Sequence, residues 1–208
     1  MKARMLVPLS VFAILILALI EAVDAQAPLL LSSRTPGKRS LAGVYSPQQQ
    51  AENVEFVGQI GGSTEAVAVQ GNYAYLGVGP RLMVLNVSDP ANPRKVGQTA
   101  VLPDLVQDVY ATGNYAYVAD GDLRVIDVSI PAAPAEVGFY DTLGYARDVY
   151  VAGNYAYVAD GDLRVIDVSI PAAPAEVGFY DTPRYALDVY VTGNYAYVTD
   201  GDGLRVGW

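Results

Sequence analysis

Aspartates recur in step along this 208-residue chain, and they are the residues on which chemistry could be built. Asp120 and Asp122 flank Gly121, Asp160 and Asp162 flank Gly161, and Asp200 and Asp202 flank Gly201, each pair 40 residues after the last. Asp141 and Asp181 keep the same offset, as do Asp108, Asp148 and Asp188. Carboxylates with no soft ligand beside them suit a hard cation such as Ca²⁺, which takes about six to eight oxygens. Paired carboxylates are also the equipment of acid–base hydrolases and lyases. Other chemistries are closed to the chain. It has no His, hence no imidazole base, no Ser-His-Asp triad and no His-based zinc site, and no Cys, hence no disulfide. The aspartate spacing matches neither an EF-hand nor a nonapeptide calcium repeat.

These aspartates are positioned by a repeat. Gly113 to Thr142 reads GNYAYVADGDLRVIDVSIPAAPAEVGFYDT, and Gly153 to Thr182 repeats it letter for letter. A looser copy runs from Gly71 to Thr99 and a clipped one from Gly193 to Trp208. Within one unit, Asp148–Val151 is rich in strand formers and ends at the turn pair Gly153-Asn154. Tyr155–Val158 forms a second run, closed by Asp160-Gly161, the dipeptide that a type I′ hairpin prefers. Leu163–Val168 is a third; the prolines Pro171 and Pro174 then interrupt the ladder, and Glu176–Tyr180 is a fourth. We label these strands A to D. Strands A and C are apolar on both faces, as sheets covered on both sides should be. The tyrosine pairs Tyr115/Tyr117, Tyr155/Tyr157 and Tyr195/Tyr197 each share a face and read as filling between sheets rather than a sugar-stacking stripe. The pattern predicts an all-β chain: a β-propeller-type array of four-stranded antiparallel blades, three full and a partial fourth.

The run Leu163–Ser169, with Gly153–Gly161 before it and Pro174 after, resembles the LVIVD repeat family. The resemblance implies propeller-type repeats of secreted or surface-exposed prokaryotic proteins and carries no catalytic residues with it. The first copy departs most. There Asn86 stands where Asp127 and Asp167 stand later, and Val78-Gly79-Pro80 replaces the Asp-Gly turn.

The segment before the repeats reads as an address. Lys2 and Arg4 precede an apolar run from Met5 to Ile20, with Val23 and Ala25 at the small-residue positions of a cleavage site. Residues 1–25 therefore read as a signal peptide, an uncleaved anchor being the alternative, and residues 26–53 as a disordered linker rich in Pro, Ser and Gln. No membrane span is expected after cleavage. The repeats occupy 54–208, as blades of about 54–101, 102–142, 143–182 and 183–208. Glu55-Phe56-Val57-Gly58 resembles a D strand standing alone, able to complete the last blade and close a four-blade ring. In the competing reading the array is a truncated, open propeller, whose bare edges invite self-association.

In such a blade the D–A and B–C connections share one rim. That places Asp120, Asp122, Asp160, Asp162, Asp200 and Asp202 there as tentative Ca²⁺ ligands, with no other cofactor expected. Their structural reading is simply solvated turn residues. Asp141, Arg147, Asp181 and Arg184 make up the expected binding rim. The otherwise constant units differ there: Leu143-Gly144 against Pro183-Arg184, and Arg147 against Leu187. Asp127 and Asp167, at the far ends of strands C, are expected to bond turn backbone near Ser129 and Ser169. Between Asn53 and Trp208, eight basic residues face nineteen acidic ones, so a nucleic-acid partner is not expected. The reading as a whole is a secreted or cell-surface binding or structural module without catalytic activity, its rim engaging a protein, a glycan or a cation. The alternatives are a carboxylate-based hydrolase or lyase and a purely architectural surface component.

Overall fold

A computed structural model describes residues 64–207, together with Val57 and Gln59. The stretches read as a signal peptide and a linker, and most of the lone D-like stretch, lie outside the described residues. Val57 and Gln59 belong to no strand. The described chain is all-β, with 15 strands in four antiparallel sheets that follow one another in sequence order.

Sheet one comprises β1 (Ala66–Gln70), β2 (Tyr73–Gly77), β3 (Leu82–Asn86) and β4 (Arg94–Gln98). Sheet two comprises β5 (Asp108–Thr112), β6 (Tyr115–Ala119), β7 (Leu123–Asp127) and β8 (Ala135–Tyr140). Sheet three comprises β9 (Asp148–Ala152), β10 (Tyr155–Ala159), β11 (Leu163–Asp167) and β12 (Ala175–Tyr180). Sheet four has β13 (Asp188–Thr192), β14 (Tyr195–Thr199) and β15 (Leu204–Gly207), and no fourth strand among the described residues.

The hairpins follow from local chemistry. Ala152 pairs with Tyr155, leaving Gly153-Asn154 as a two-residue loop, and Gly153 takes the left-handed φ of +59° that such a loop needs. The B–C connection differs from the expected two-residue turn. Ala159 pairs with Leu163, so Asp160, Gly161 and Asp162 all lie in the loop. The extra residue is accommodated because Gly161 bridges to Ala186 in the following D–A connection, a tertiary contact that the dipeptide rule does not see. Between C and D the register slips at Val125/Ile126 and Val165/Ile166, a bulge that precedes the Pro-Ala-Ala-Pro segment.

Face-to-face packing builds the core, in the order of the sequence. Sheets one and two enclose Tyr75, Leu82, Val84, Val109, Val118 and Ile126; sheets two and three enclose Tyr117, Val125, Val149, Val158 and Ile166. Sheet four covers sheet three with Val189, Val191, Ala196 and Val198. The first strands β1, β5, β9 and β13 lie side by side. Along them Tyr110, Tyr150 and Tyr190 stack in a row, with ring centroids 4.9 and 5.0 Å apart. Leu123, Val125 and Ile126 of β7 are fully buried, each burial contributing roughly 1.5–3 kcal/mol. Of the tyrosines read as filling, Tyr117 is buried and Tyr115 and Tyr157 are partly buried between sheets, whereas Tyr155 and Tyr195 are exposed. The first and fourth sheets do not pack on each other, so the array is open.

Candidate functional site

The B–C loops and the D–A connections meet on one rim, as the strand order requires. At each B–C loop the first aspartate turns inward. Asp160 has a fully buried side chain, and its Oδ2 accepts hydrogen bonds from Arg164 Nε at 2.9 Å and Gly144 N at 3.1 Å. Its Oδ1 accepts from Asp162 N at 3.1 Å. Asp120 takes Arg124 Nε on both oxygens, at 3.0 and 3.1 Å. Asp200 receives Arg205 Nε at 2.7 Å, with Asp202 N and Gly203 N on its other oxygen.

The second aspartates lie farther out and meet the same arginines: Asp122 at 2.9 Å from Arg124, and Asp162 at 3.6 Å from Arg164. Glu136 and Glu176 of the outer strands approach from the opposite side, at 3.7 and 3.4 Å. Phe139 and Phe179 close the arrangement, 5.1 and 5.4 Å from the guanidinium carbons. The pairs Asp120/Asp122 and Asp160/Asp162 thus each face one arginine, whereas Asp200 meets Arg205 and Asp202 meets Arg184. The six residues read as Ca²⁺ ligands are not brought together, and no group of three or more acidic side chains poised for a metal occurs among the described residues. The expected solvated turn holds only for the outer aspartates.

Electrostatics follow burial and partner. Desolvation pushes the Asp120 carboxyl up to about 6 against the pull of Arg124. The Arg205 hydrogen bond holds Asp200 below the usual carboxylate range despite its burial. Desolvation works against the charge on Arg164, but the hydrogen bond and charge of Asp160 outweigh it and raise the guanidinium further. Asp127 and Asp167 behave as expected, each accepting the N–H of the serine two residues on at 2.8 Å; that serine's hydroxyl and, after it, its backbone N–H hold both carboxyls below the usual range. Asn86 does the same for Ser88 at 2.9 Å, so the departure in the first copy preserves the turn.

Just inside the rim lies a second series. Asp108 Oδ2 accepts Val149 N at 3.1 Å, and Asp148 Oδ2 accepts Val189 N at 2.6 Å, so each carboxylate ties its own sheet to the next. Burial, a hydrogen bond with Asp108 and the charges of Asp108 and Asp188 raise the Asp148 carboxyl. The fold therefore favours its protonated form. The stability this group contributes is greatest at low pH and is lost as pH rises above the ordinary carboxylate range. Asp148→Asn keeps the acceptor and removes the charge. It is expected to stabilise the chain by about 1–2 kcal/mol around neutral pH and by almost nothing near pH 4. Urea unfolding at the two pH values reads this, and a variant less stable at neutral pH would contradict it.

The four binding-rim residues, Asp141, Arg147, Asp181 and Arg184, are all exposed. Arg184 Nε donates to Asp202 at 2.9 Å, with both side chains more than half exposed. Arg147 lies 6.0 Å from the Tyr145 ring. A cavity of about 480 Å³ opens between two D–A connections, lined by Leu143, Asp160, Asp162, Arg184 and Tyr185 among others. Tyr185 is 78% exposed there. Sequence reasoning missed the arginines Arg124, Arg164 and Arg205, although each follows its Asp-Gly pair closely, four residues after Asp120 and Asp160 and five after Asp200. It also missed Thr142 and Thr182, whose hydroxyls lie 3.0 and 2.9 Å from the Gly121 and Gly161 carbonyls and hold the rim loops together.

Stacked four-stranded sheets with their first strands side by side define an open β-propeller-type repeat array. Residues 61–100, 105–142, 143–182 and 183–206 each match the LVIVD repeat model, and the chain belongs to that family. A search of curated proteins gives no match. Among solved structures, the fold is similar to the computationally designed Ika4 protein. The two are 12% identical over 74% of this chain and 95% of that one, with a TM-score of 0.58. It is also similar to the computationally designed Ika8 protein, at 14% identity over 69% of this chain and a TM-score of 0.56. The chain spans 45% of the length of Ika8. These likenesses concern the fold alone.

Proposed function

We propose that the repeats form a secreted or cell-surface binding module whose D–A/B–C rim engages an extracellular glycan or protein. One observation carries this reading. Two units identical over thirty residues diverge on the rim, at Leu143-Gly144 against Pro183-Arg184 and at Arg147 against Leu187, and most of these side chains are exposed. The exposed Tyr185 ring, set beside Asp162 and Arg184 at the cavity, favours a glycan, since it offers a stacking face next to acceptors and donors. No catalytic role is proposed for the rim. Its inner aspartates each meet an arginine in nearly the same way, which gives no division into acid and base.

Arg184→Ala removes an exposed ion pair worth less than about 1 kcal/mol, so it tests recognition without disturbing the fold. The chain recovered from the extracytoplasmic fraction, with its N-terminus at Gln26, is applied to a glycan array. Tyr185→Ala and Arg184→Ala are each expected to lower binding by about tenfold, some 1.4 kcal/mol. Binding that survives both substitutions unchanged would refute the reading, and an N-terminus at Met1 would refute the location.

A further inference from the structure

Every step between sheets has the same form: the tyrosine-bearing face of one sheet meets the valine face of the next. At the third step, Tyr150 and Tyr157 pack against Val189, Val191 and Val198. At the second step, Tyr110 and Tyr117 pack in the same way against Val149 and Val151. The two ends of the array bear the same two faces uncovered. Val67 and Val69 of β1, which hold the positions of Val149 and Val151, are 63% and 65% exposed, where their counterparts are 2% and 5% exposed. At the other end Tyr190, Leu204 and Val206 are 53%, 58% and 55% exposed, whereas Leu163, the counterpart of Leu204, is 8% exposed. Large uncovered apolar faces of this kind mark sites of association.

Two further features lie at the same junction. Asp108 and Asp148 each accept an N–H from the following sheet, that of Val149 and of Val189. Asp188 holds the same position in β13 and is exposed. The matching N–H in a first sheet is that of Val67. The edge of β15 also lacks the fourth strand that every other sheet has among the described residues.

We propose that a second copy of this chain docks head to tail on the fourth sheet. Its β1 face covers Tyr190, Leu204 and Val206, and the N–H of its Val67 donates to Asp188. The contact continues the established interface between sheets, using the faces of the terminal sheets rather than only their edges. Among the described residues both faces are bare and apart, and a second copy carries the face complementary to each. Such a heterologous contact closes a ring of copies or extends an open chain of them. It uses neither Arg184 nor Tyr185, so its failure and that of the rim reading are separable.

Light scattering of the secreted chain is expected to give a mass of at least two copies at about 100 µM. Leu204→Asp removes the tail face and Val67→Asp the head face. Each should leave single copies, with melting curves showing the chain still folded. Mixing the two variants should restore association, because one supplies an intact head and the other an intact tail, and growth should stop at two copies. Wild-type chain that stays single up to about 1 mM would overturn the proposal, ring closure within one chain being one such case. So would multimers that survive either substitution, or a mixture that fails to pair.

Discussion

Arg164→Met is expected to destabilise the chain by about 3–5 kcal/mol around neutral pH, the size usual when one partner of a buried pair is removed. The Arg164 side chain is 8% exposed and that of Asp160 is 0% exposed, so the substitution strands a carboxylate that water cannot reach. Gly144 N and Asp162 N still donate to it, but neither carries a charge. The doubly substituted Asp160→Asn, Arg164→Met chain removes the charge altogether and should recover part of the deficit at neutral pH. Urea unfolding of the three chains reads these differences; a single substitution with a loss under about 1 kcal/mol would place the pair with solvent-screened ones such as Arg184–Asp202.

That arginine marks where the sequence was hard to read. The strands were legible because each is a short run of strand formers between turn residues, repeated with its boundaries intact. The turn role of Asp127 and Asp167 was legible for the same reason, since an acceptor two residues before its donor is a local matter. The burial of Asp160 is not local. It depends on Gly144, sixteen residues upstream in another connection, and on the Phe179 ring arriving on the outer strand. From the dipeptide alone, Asp-Gly reads as a solvated hairpin tip and its carboxylates as free for a cation. The length of that loop was misjudged by the same omission, since the bridge from Gly161 to Ala186 lies between connections. The placement of Asp141, Arg147, Asp181 and Arg184 on an exposed rim needed only the strand order, and it was legible. The open array was one of the two readings the sequence left standing beside a closed four-blade ring, because one forty-residue unit reads the same whether or not its faces find a neighbour.

Glycine in the outer strands exposes the same dependence and gives the strongest test of it. A Cβ added at Gly138 would lie 2.2 Å from the Pro171 carbonyl oxygen, in the C–D connection of the following sheet. Gly97 stands in the same relation to Pro131, also at 2.2 Å. Backbone cannot swing aside as a flexible side chain does, so the sheets must move apart. Gly178 holds the same place in an identical stretch of sequence, yet a Cβ there would meet nothing within 4 Å. Local propensity is the same at Gly138 and Gly178; only the neighbouring sheet differs. The central claim is that successive forty-residue units fold as sheets packed face to face, and the melting temperatures of Gly138→Ala and Gly178→Ala test it most directly. The packed array predicts a loss of about 3 kcal/mol for Gly138→Ala, roughly 6–12 °C, and little or no change for Gly178→Ala. Equal shifts in the two variants would contradict the claim, because identical sequences would then be behaving as if neither sheet had a neighbour.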